Sequence, residues 1–128
     1  MPQYITHKLM KQWIREELLK RGFHINQIWF EKYFLLNHKK FILDAYAKNK
    51  DEAIAVECFS CCENYLEKLI LLGEFFNHII FIIHTTRVKK IKRLVEPQID
   101  LFINKYPEIR IELYIDNFNN VFYPNGEG

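Results

Sequence analysis

Two acidic residues interrupt segments of the sequence that are otherwise apolar. Asp44 lies within FILDAYA, residues 41–47, and Glu57 lies within AIAVECF, residues 53–59. A carboxylate buried without a partner is costly, so such a group is usually protonated, paired or bound to a metal ion. Two acids on consecutive strands joined by a tight turn can lie side by side on one face of a sheet. Their oxygens would suit Mg²⁺ or Mn²⁺, which also accept waters and phosphate oxygens as ligands.

The chemistry predicted for such a pair is the hydrolysis of a phosphodiester. A divalent ion held by Asp44 and Glu57 would activate a water molecule and stabilise the charge that develops on the phosphate. The alternative is that both acids are ordinary strand residues on a solvated face, or partners in a structural ion pair. The residues alone leave both interpretations open.

Hydrophobic periodicity and turn residues predict the elements that would position these acids. In chain order they are a helix over 4–21 closed by Gly22, strands over 25–36, 41–47 and 53–59, a helix over 63–76, a strand over 79–83, a helix from about 87 to 106 and a strand over 109–115. A turn is expected at Asn37-His38, and Asn49 is available for a left-handed position. Pro97 should break or kink the last helix near Val95.

The order α-β-β-β-α-β-α-β predicts an α/β fold. A meander of three strands followed by a β-α-β crossover gives a mixed central sheet flanked by helices. The length of 128 residues suits a single domain, which we place at 1–116. The Asn- and Gly-rich residues 117–128 should form a loose tail.

The two acids and the elements around them resemble the PD-(D/E)xK, or restriction-endonuclease-like, nuclease superfamily. The stretch LDAYAKNKDEAIAVE is similar to the motif of small archaeal and archaeal-virus members, within a core of order α-β-β-β-α-β. The resemblance covers roughly residues 4–85. It implies a nuclease that binds Mg²⁺ or Mn²⁺ through Asp44 and Glu57, with Glu31 as the candidate for a further metal ligand and Glu16 and Glu17 as weaker ones.

The chain departs from this pattern at the lysine of the motif. The family places that lysine two residues after the glutamate, on the same face of the strand, and the residue here is Phe59. A phenyl ring cannot donate to a phosphate or to an attacking water. Either the lysine has moved, with Lys68 on the following helix as the first candidate and Lys40 on the strand of Asp44 as the second, or the site is inactive.

Basic residues are concentrated in two segments, although the net charge is only +2. Those expected to contact nucleic acid are Lys11, Arg15, Arg87, Lys89, Lys90, Lys92 and Arg93. Cations at the start of a helix oppose its dipole, so helix stability does not explain the second segment, whereas phosphate contact would. A face that only aids solubility is the alternative. DNA is the expected partner, RNA a possible one, and the resemblance implies a homodimer.

Three cysteines lie within five residues, at Cys58, Cys61 and Cys62. Zinc would need further ligands, for which His78 or His84 are the candidates, so small buried thiols are the better interpretation. Neither a secretory signal nor a membrane-spanning run is recognised, which predicts an intracellular protein. The predicted function is divalent-metal-dependent cleavage of DNA. The alternative is an inactive nuclease-fold module that binds nucleic acid or a protein partner.

Overall fold

The computed structural model describes residues 2–59 and 65–118, and side chains within residues 8–35, 37–59 and 65–118. Its elements, in chain order, are α1 (Pro2–Lys20), a 3₁₀ turn (Ile25–Gln27), β1 (Ile28–Leu36), β2 (Lys39–Lys48), β3 (Ala53–Phe59), α2 (Tyr65–Gly73), β4 (His78–His84), α3 (Val88–Lys105) and β5 (Arg110–Asp116). The predicted order of helices and strands is confirmed.

The five strands form one mixed sheet in the spatial order β1-β2-β3-β4-β5. The first three strands are antiparallel neighbours, and β3, β4 and β5 run parallel. The predicted α/β class and mixed central sheet are therefore confirmed. Because β3, β4 and β5 are parallel, their last residues meet at one side of the sheet, which we call the carboxyl edge.

Helices cover both faces of the sheet and close two hydrophobic cores. On one face, α1 packs its residues Met10, Ile14 and Leu18 against the sheet. On the other face, α2 and α3 bury the residues Leu69, Leu72, Val95, Ile99 and Phe102. The strand β4 is buried on both faces through its apolar run IIFII, as expected for a central parallel strand.

The turns follow local chemistry, with one correction. Asn37 and His38 both adopt left-handed conformations, with φ of 51° and 65°, which are the values that a two-residue hairpin turn needs. Asn49 does not adopt the left-handed conformation for which it was available. Its side chain instead accepts hydrogen bonds from the backbone N–H groups of Asp51 and Glu52, at 2.8 and 2.9 Å, and this Asx turn closes the loop.

Of the break or kink predicted at Pro97, the break is wrong, because α3 continues through that residue. A proline at this position deprives only the carbonyl of Arg93 of its helical hydrogen bond. Arg93 is exposed, so water can satisfy that carbonyl. Val95 and Ile99, on either side of Pro97, are buried in the core beneath α2 and α3, and this packing holds the helix together.

The packed part of the chain extends beyond the predicted domain limit at residue 116. Phe118 is 1% exposed and belongs to the core beneath α1. Its backbone N–H donates to Nδ1 of His84 at 3.1 Å, which ties it to the end of β4. The rest of the predicted tail, residues 119–128, lies outside the described residues. None of the helices in the described part of the chain combines the length and apolar character needed to cross a membrane.

Candidate active site at a fork in the sheet

Asp44 and Glu57 lie where β2 and β3 separate. The main-chain pairing of the two strands runs from Lys48 and Ala53 to Ala45 and Val56 and then stops. At the next position, hydrogen bonds to the carboxylates of Asp44 and Glu57 replace the main-chain pairing. The Asp44 N–H donates to Oε1 of Glu57 at 3.1 Å, and Oδ2 of Asp44 accepts from the Cys58 N–H at 2.7 Å. We call this place the fork. The two carboxylates are thus brought together as the sequence predicted.

Beyond the fork, β3 remains paired with β4, and β2 remains paired with β1. Towards the carboxyl edge, β3 continues beside β4 through the pairs Glu57 with Phe81 and Phe59 with Ile83. In the opposite chain direction, β2 continues beside β1 as far as Lys39. The fork therefore creates a gap in the sheet that is lined by carboxylates, inside a fold whose other sheet positions are mostly apolar.

At the level of the fork, the side chains of β2 change the face of the sheet to which they point. Ala45 packs into the core beneath α1, whereas Leu43, two residues away, packs into the core beneath α2 and α3. Regular alternation would place both on one face. In β1 the same change falls at Glu31, which adopts φ of 53°, an uncommon value for a residue other than glycine. The pairing of β2 with β3 ends at this same level, so the change of face coincides with the fork.

Glu57 is held in an environment that resists its ionisation. Its side chain is 1% exposed. Burial, and then the negative charge of Asp44, raises the pKa of Glu57 from 4.5 to about 7, against the opposing influence of Lys68 and of the Asp44 N–H. A neighbouring cation would relieve both causes, because it attracts both carboxylates and replaces the lost solvation.

Lys68 reaches Glu57 from the first turns of α2. Its Nζ lies 3.2 Å from Oε2 of Glu57, and the side chain remains 43% exposed. The same ammonium lies 5.5 Å from the ring centroid of Phe59 and 5.8 Å from that of Phe41. A cation therefore stands over the ring that occupies the position of the motif lysine. Lys40, the other predicted replacement, is exposed near the start of β2.

The donor set of the fork suits a hard divalent cation. Glu57 accepts two hydrogen bonds in the described structure, and an ionised carboxylate has about four lone-pair positions, so it keeps capacity for an ion. Within residues 2–59 and 65–118 no three His, Cys, Asp or Glu side chains converge as a ready-made metal cluster. Two carboxylates completed by waters and phosphate oxygens are the arrangement that Mg²⁺ accepts.

Glu31, the third predicted metal ligand, lies on the neighbouring strand and forms an ion pair with Lys11 at 3.0 Å. Its side chain is 60% exposed, unlike that of Glu57. Of the weaker candidates, Glu17 accepts a hydrogen bond from Arg21 and Glu16 is exposed on α1. The structure thus brings Asp44, Glu57 and Lys68 together and directs Glu31 towards α1.

The predicted nucleic-acid contacts fall into two groups. On α1, Lys11 is paired with Glu31, and the Arg15 guanidinium lies 5.2 Å from the centre of the Phe30 ring. The second group is exposed at the start of α3 and consists of Arg87, Lys89, Lys90, Lys92 and Arg93. Because α3 begins where β4 ends, this basic segment lies at the carboxyl edge, the side towards which β3 leads from Glu57.

The zinc alternative gains no support from the described residues. His78 contacts Glu112, and His84 accepts the Phe118 N–H. Cys58 is a free cysteine, and its pKa is raised well above the usual value by burial and then by the charges of Asp44 and Glu57. Cys61 and Cys62 lie outside the described residues.

Sequence reasoning missed a second polar cluster, which lies near the amino ends of β4 and β5. Arg21 donates to both oxygens of Glu112, at 2.5 and 2.6 Å, and to Glu17 at 3.0 Å. Glu112 also contacts the ring of His78 and accepts from the Tyr114 hydroxyl. These bonds, chiefly the one from Arg21, hold the pKa of Glu112 at about 2. The one available signal was an acid inside the strand IRIELYI.

Comparison with known proteins places the fold without assigning a function. No protein-family model and no curated protein matches the sequence. The chain is similar in structure to AF1548, a protein of unknown function seen in a crystal structure, with a TM-score of 0.51 and 15% identity. The match covers 95% of this chain and 62% of AF1548, so the chain spans less than two thirds of that protein. At this identity the likeness shows the α/β fold alone.

Proposed function

We propose that the protein is a divalent-metal-dependent nuclease with a restriction-endonuclease-like core, and that it hydrolyses phosphodiester bonds in DNA. The observation that supports the proposal most is the fork, where Asp44 and Glu57 share a gap in an apolar sheet and Lys68 reaches them from α2. Such a concentration of charge is costly inside a core and is typical of functional sites.

In this mechanism Asp44 and Glu57 would hold Mg²⁺ or Mn²⁺ through their carboxylate oxygens. The bound ion would supply Lewis acidity towards the phosphate and a water molecule of lowered pKa. Lys68 keeps Glu57 oriented through the contact of 3.2 Å, and because its side chain is 43% exposed, it would also reach a phosphate oxygen of the substrate. Lys68 would thereby replace the lysine that Phe59 displaces from the motif.

Binding of the DNA backbone is assigned to the basic segment 87–93. Its exposed cations stand at the carboxyl edge, where they would meet phosphates of a duplex whose scissile bond lies over the fork. Contacts of this kind are independent of sequence and weaken strongly as salt is added.

The test is cleavage of plasmid and branched DNA in Mg²⁺ or Mn²⁺. We expect the parent to cut, and Asp44→Asn and Glu57→Gln to lose on the order of a thousand-fold in rate, the scale of removing an essential electrostatic group from an active site. Glu52→Gln, at an exposed acid in the turn between β2 and β3, is the matched control and should cut normally. If Asp44→Asn and Glu57→Gln cut as fast as the parent, the proposal fails.

A second candidate is an inactive module of the same fold that binds nucleic acid. It is favoured by Phe59, a buried ring at the lysine position, and by the ion pair that Lys68 already forms with Glu57. A gel-shift series in rising salt, run without metal, separates the two candidates. Salt-sensitive binding without cleavage under any divalent ion would favour the module over the enzyme.

A further inference from the structure

The two edges of the sheet differ in their ability to accept another strand. The edge strand β1 is interrupted at Glu31, whose φ of 53° breaks the regular conformation, and such irregularities protect edges from pairing. The other edge strand, β5, extends over Arg110–Asp116 without proline, glycine or a left-handed residue. Within residues 2–59 and 65–118 no strand pairs with its outer edge.

The backbone of β5 presents donors and acceptors to that open edge. Arg110 donates its N–H to Asn77 and Asp116 accepts from Thr85, so the even-numbered residues direct their main-chain groups towards β4. Successive residues of a strand alternate in this respect, so the odd-numbered residues Ile111, Leu113 and Ile115 direct theirs outwards. A cavity of about 290 Å³ lies beside this edge, between Trp13 of α1 and Lys92 of α3.

We propose that the outer edge of β5 pairs with the same edge of a second copy of the chain, antiparallel and with the two-fold axis at Leu113. This register places each outward-directed residue opposite another one, so about six main-chain hydrogen bonds would form. On the face of α3, the half-buried Ile111 and Leu113 would meet the partner's Ile115 and the partner's Leu113. The resulting sheet continues through both subunits.

Charge selects this register over its neighbours. With the axis at Leu113, the exposed Arg110 lies opposite the partner's Asp116, and the reverse pair forms by symmetry. An axis at Glu112 would place that carboxylate opposite the partner's Glu112, and an axis at Tyr114 would place it opposite the partner's Asp116. Like charges directly opposite each other destabilise a strand pair, so both shifted registers are disfavoured. The dimer does not depend on the proposed nuclease activity.

A charge exchange tests the proposal by sedimentation velocity of the full chain. The parent should dimerise, whereas Arg110→Asp and Asp116→Arg should each dimerise on the order of thirty-fold more weakly, because two attractive cross-strand pairs become repulsive. Both side chains are exposed, but the Arg110 guanidinium also lies 4.0 Å from Glu112, so thermal unfolding followed by circular dichroism checks that each variant keeps the fold. Lys50→Asp, an exposed residue with the same change of charge, should leave the dimer intact.

Complementation makes the test specific to the register. An equimolar mixture of the Arg110→Asp and Asp116→Arg variants should form a heterodimer, and the doubly exchanged chain should recover the homodimer. A parent that stays monomeric overturns the proposal, and if a chain ending at Phe118 then dimerised, the occupant of the edge would be residues 119–128. A parent dimer that neither exchange weakens also overturns it.

Discussion

Glu57 and Glu112 are both strand acids with little exposure, at 1% and 18% of the side chain, yet the protein treats them in opposite ways. Glu112 receives both arms of Arg21, and the pKa of Glu112 falls to about 2. Glu57 has one lysine and a second carboxylate beside it, and its pKa rises to about 7. The fold therefore neutralises the charge of Glu112 through Arg21, whereas the charge of Glu57 lacks enough compensating positive charge.

This difference separates a structural cluster from a candidate active site. The Arg21–Glu112 pair joins the end of α1 to the edge strand β5, which is a role in packing. At the fork, Lys68 of α2 contacts Glu57, yet burial and the charge of Asp44 still raise the pKa of Glu57 to about 7. Groups that a fold holds at such a cost are expected where binding or catalysis needs them.

The largest effect that we expect in comparing the fork with the Arg21–Glu112 cluster is on the rate of DNA cleavage, when Lys68 is replaced. Lys68→Met should lower the rate of metal-dependent DNA cleavage by about a hundred-fold, because the ammonium that stabilises the charged phosphate is lost. Single-turnover kinetics with saturating protein measures the rate of the chemical step. Lys40→Met is the matched control, since Lys40 is the other predicted replacement for the motif lysine and is exposed on β2. Equal losses of cleavage rate in both variants would show that the effect is not specific to the ammonium of Lys68.

On the structural side, Glu112→Gln should lower the free energy of unfolding by about 2 kcal/mol at neutral pH, because Arg21 keeps its charge but loses a bidentate partner. Urea unfolding followed by circular dichroism gives the difference. Glu108→Gln, at an exposed acid just before β5, should change stability by less than about 0.5 kcal/mol. A change as small in Glu112→Gln would remove the structural role assigned to the cluster.

The pH dependence of that difference follows from the lowered pKa. The folded-state pKa of Glu112, about 2, lies below the ordinary 4.5, so its contribution is complete above pH 4.5 and is lost as the pH falls towards 2. Between pH 5 and pH 2 the stability gap between the parent and Glu112→Gln should shrink by about 1.5 kcal/mol, a figure reduced for partial exposure. A gap independent of pH would contradict this cause.

The opposite sign is expected at the fork. The folded-state pKa of Glu57 is raised from 4.5 to about 7, so the folded protein favours the protonated form of this side chain. The stability that this preference contributes is complete below pH 4.5 and is lost as the pH rises through 7. Glu57→Gln removes the charge and keeps an acceptor for the Asp44 N–H, so at pH 8 without metal it should be about 1 kcal/mol more stable than the parent. A variant less stable by about 2 kcal/mol would identify the Lys68 pair as structural.

Local patterns were sufficient to predict the element order and the nearness of Asp44 to Glu57. Those two acids are separated by one tight turn, so strand periodicity and turn position fix their register within narrow limits. The limits of β3, 53–59, were confirmed for the same reason. The approach of Lys68 to Glu57 could also be predicted, because the helix that follows β3 must return over the strand it leaves.

Features that depend on distant pairing were not predictable. The contact between Arg21 and Glu112 joins opposite ends of the chain and depends on how α1 lies across β5. The face change at Glu31 and Asp44 is a property of three strands together. At Pro97 the local rule was outweighed by the burial of Val95 and Ile99, which holds α3 together at the cost of one exposed hydrogen bond.

The most direct test of the account is calorimetric titration of Mn²⁺ into the metal-free parent and its variants at pH 8. We predict a single saturable site in the parent and in Glu112→Gln, and no site in Asp44→Asn or Glu57→Gln. Binding that survives in both fork variants, or no saturable binding in the parent, would contradict the claim that these two carboxylates form a metal site.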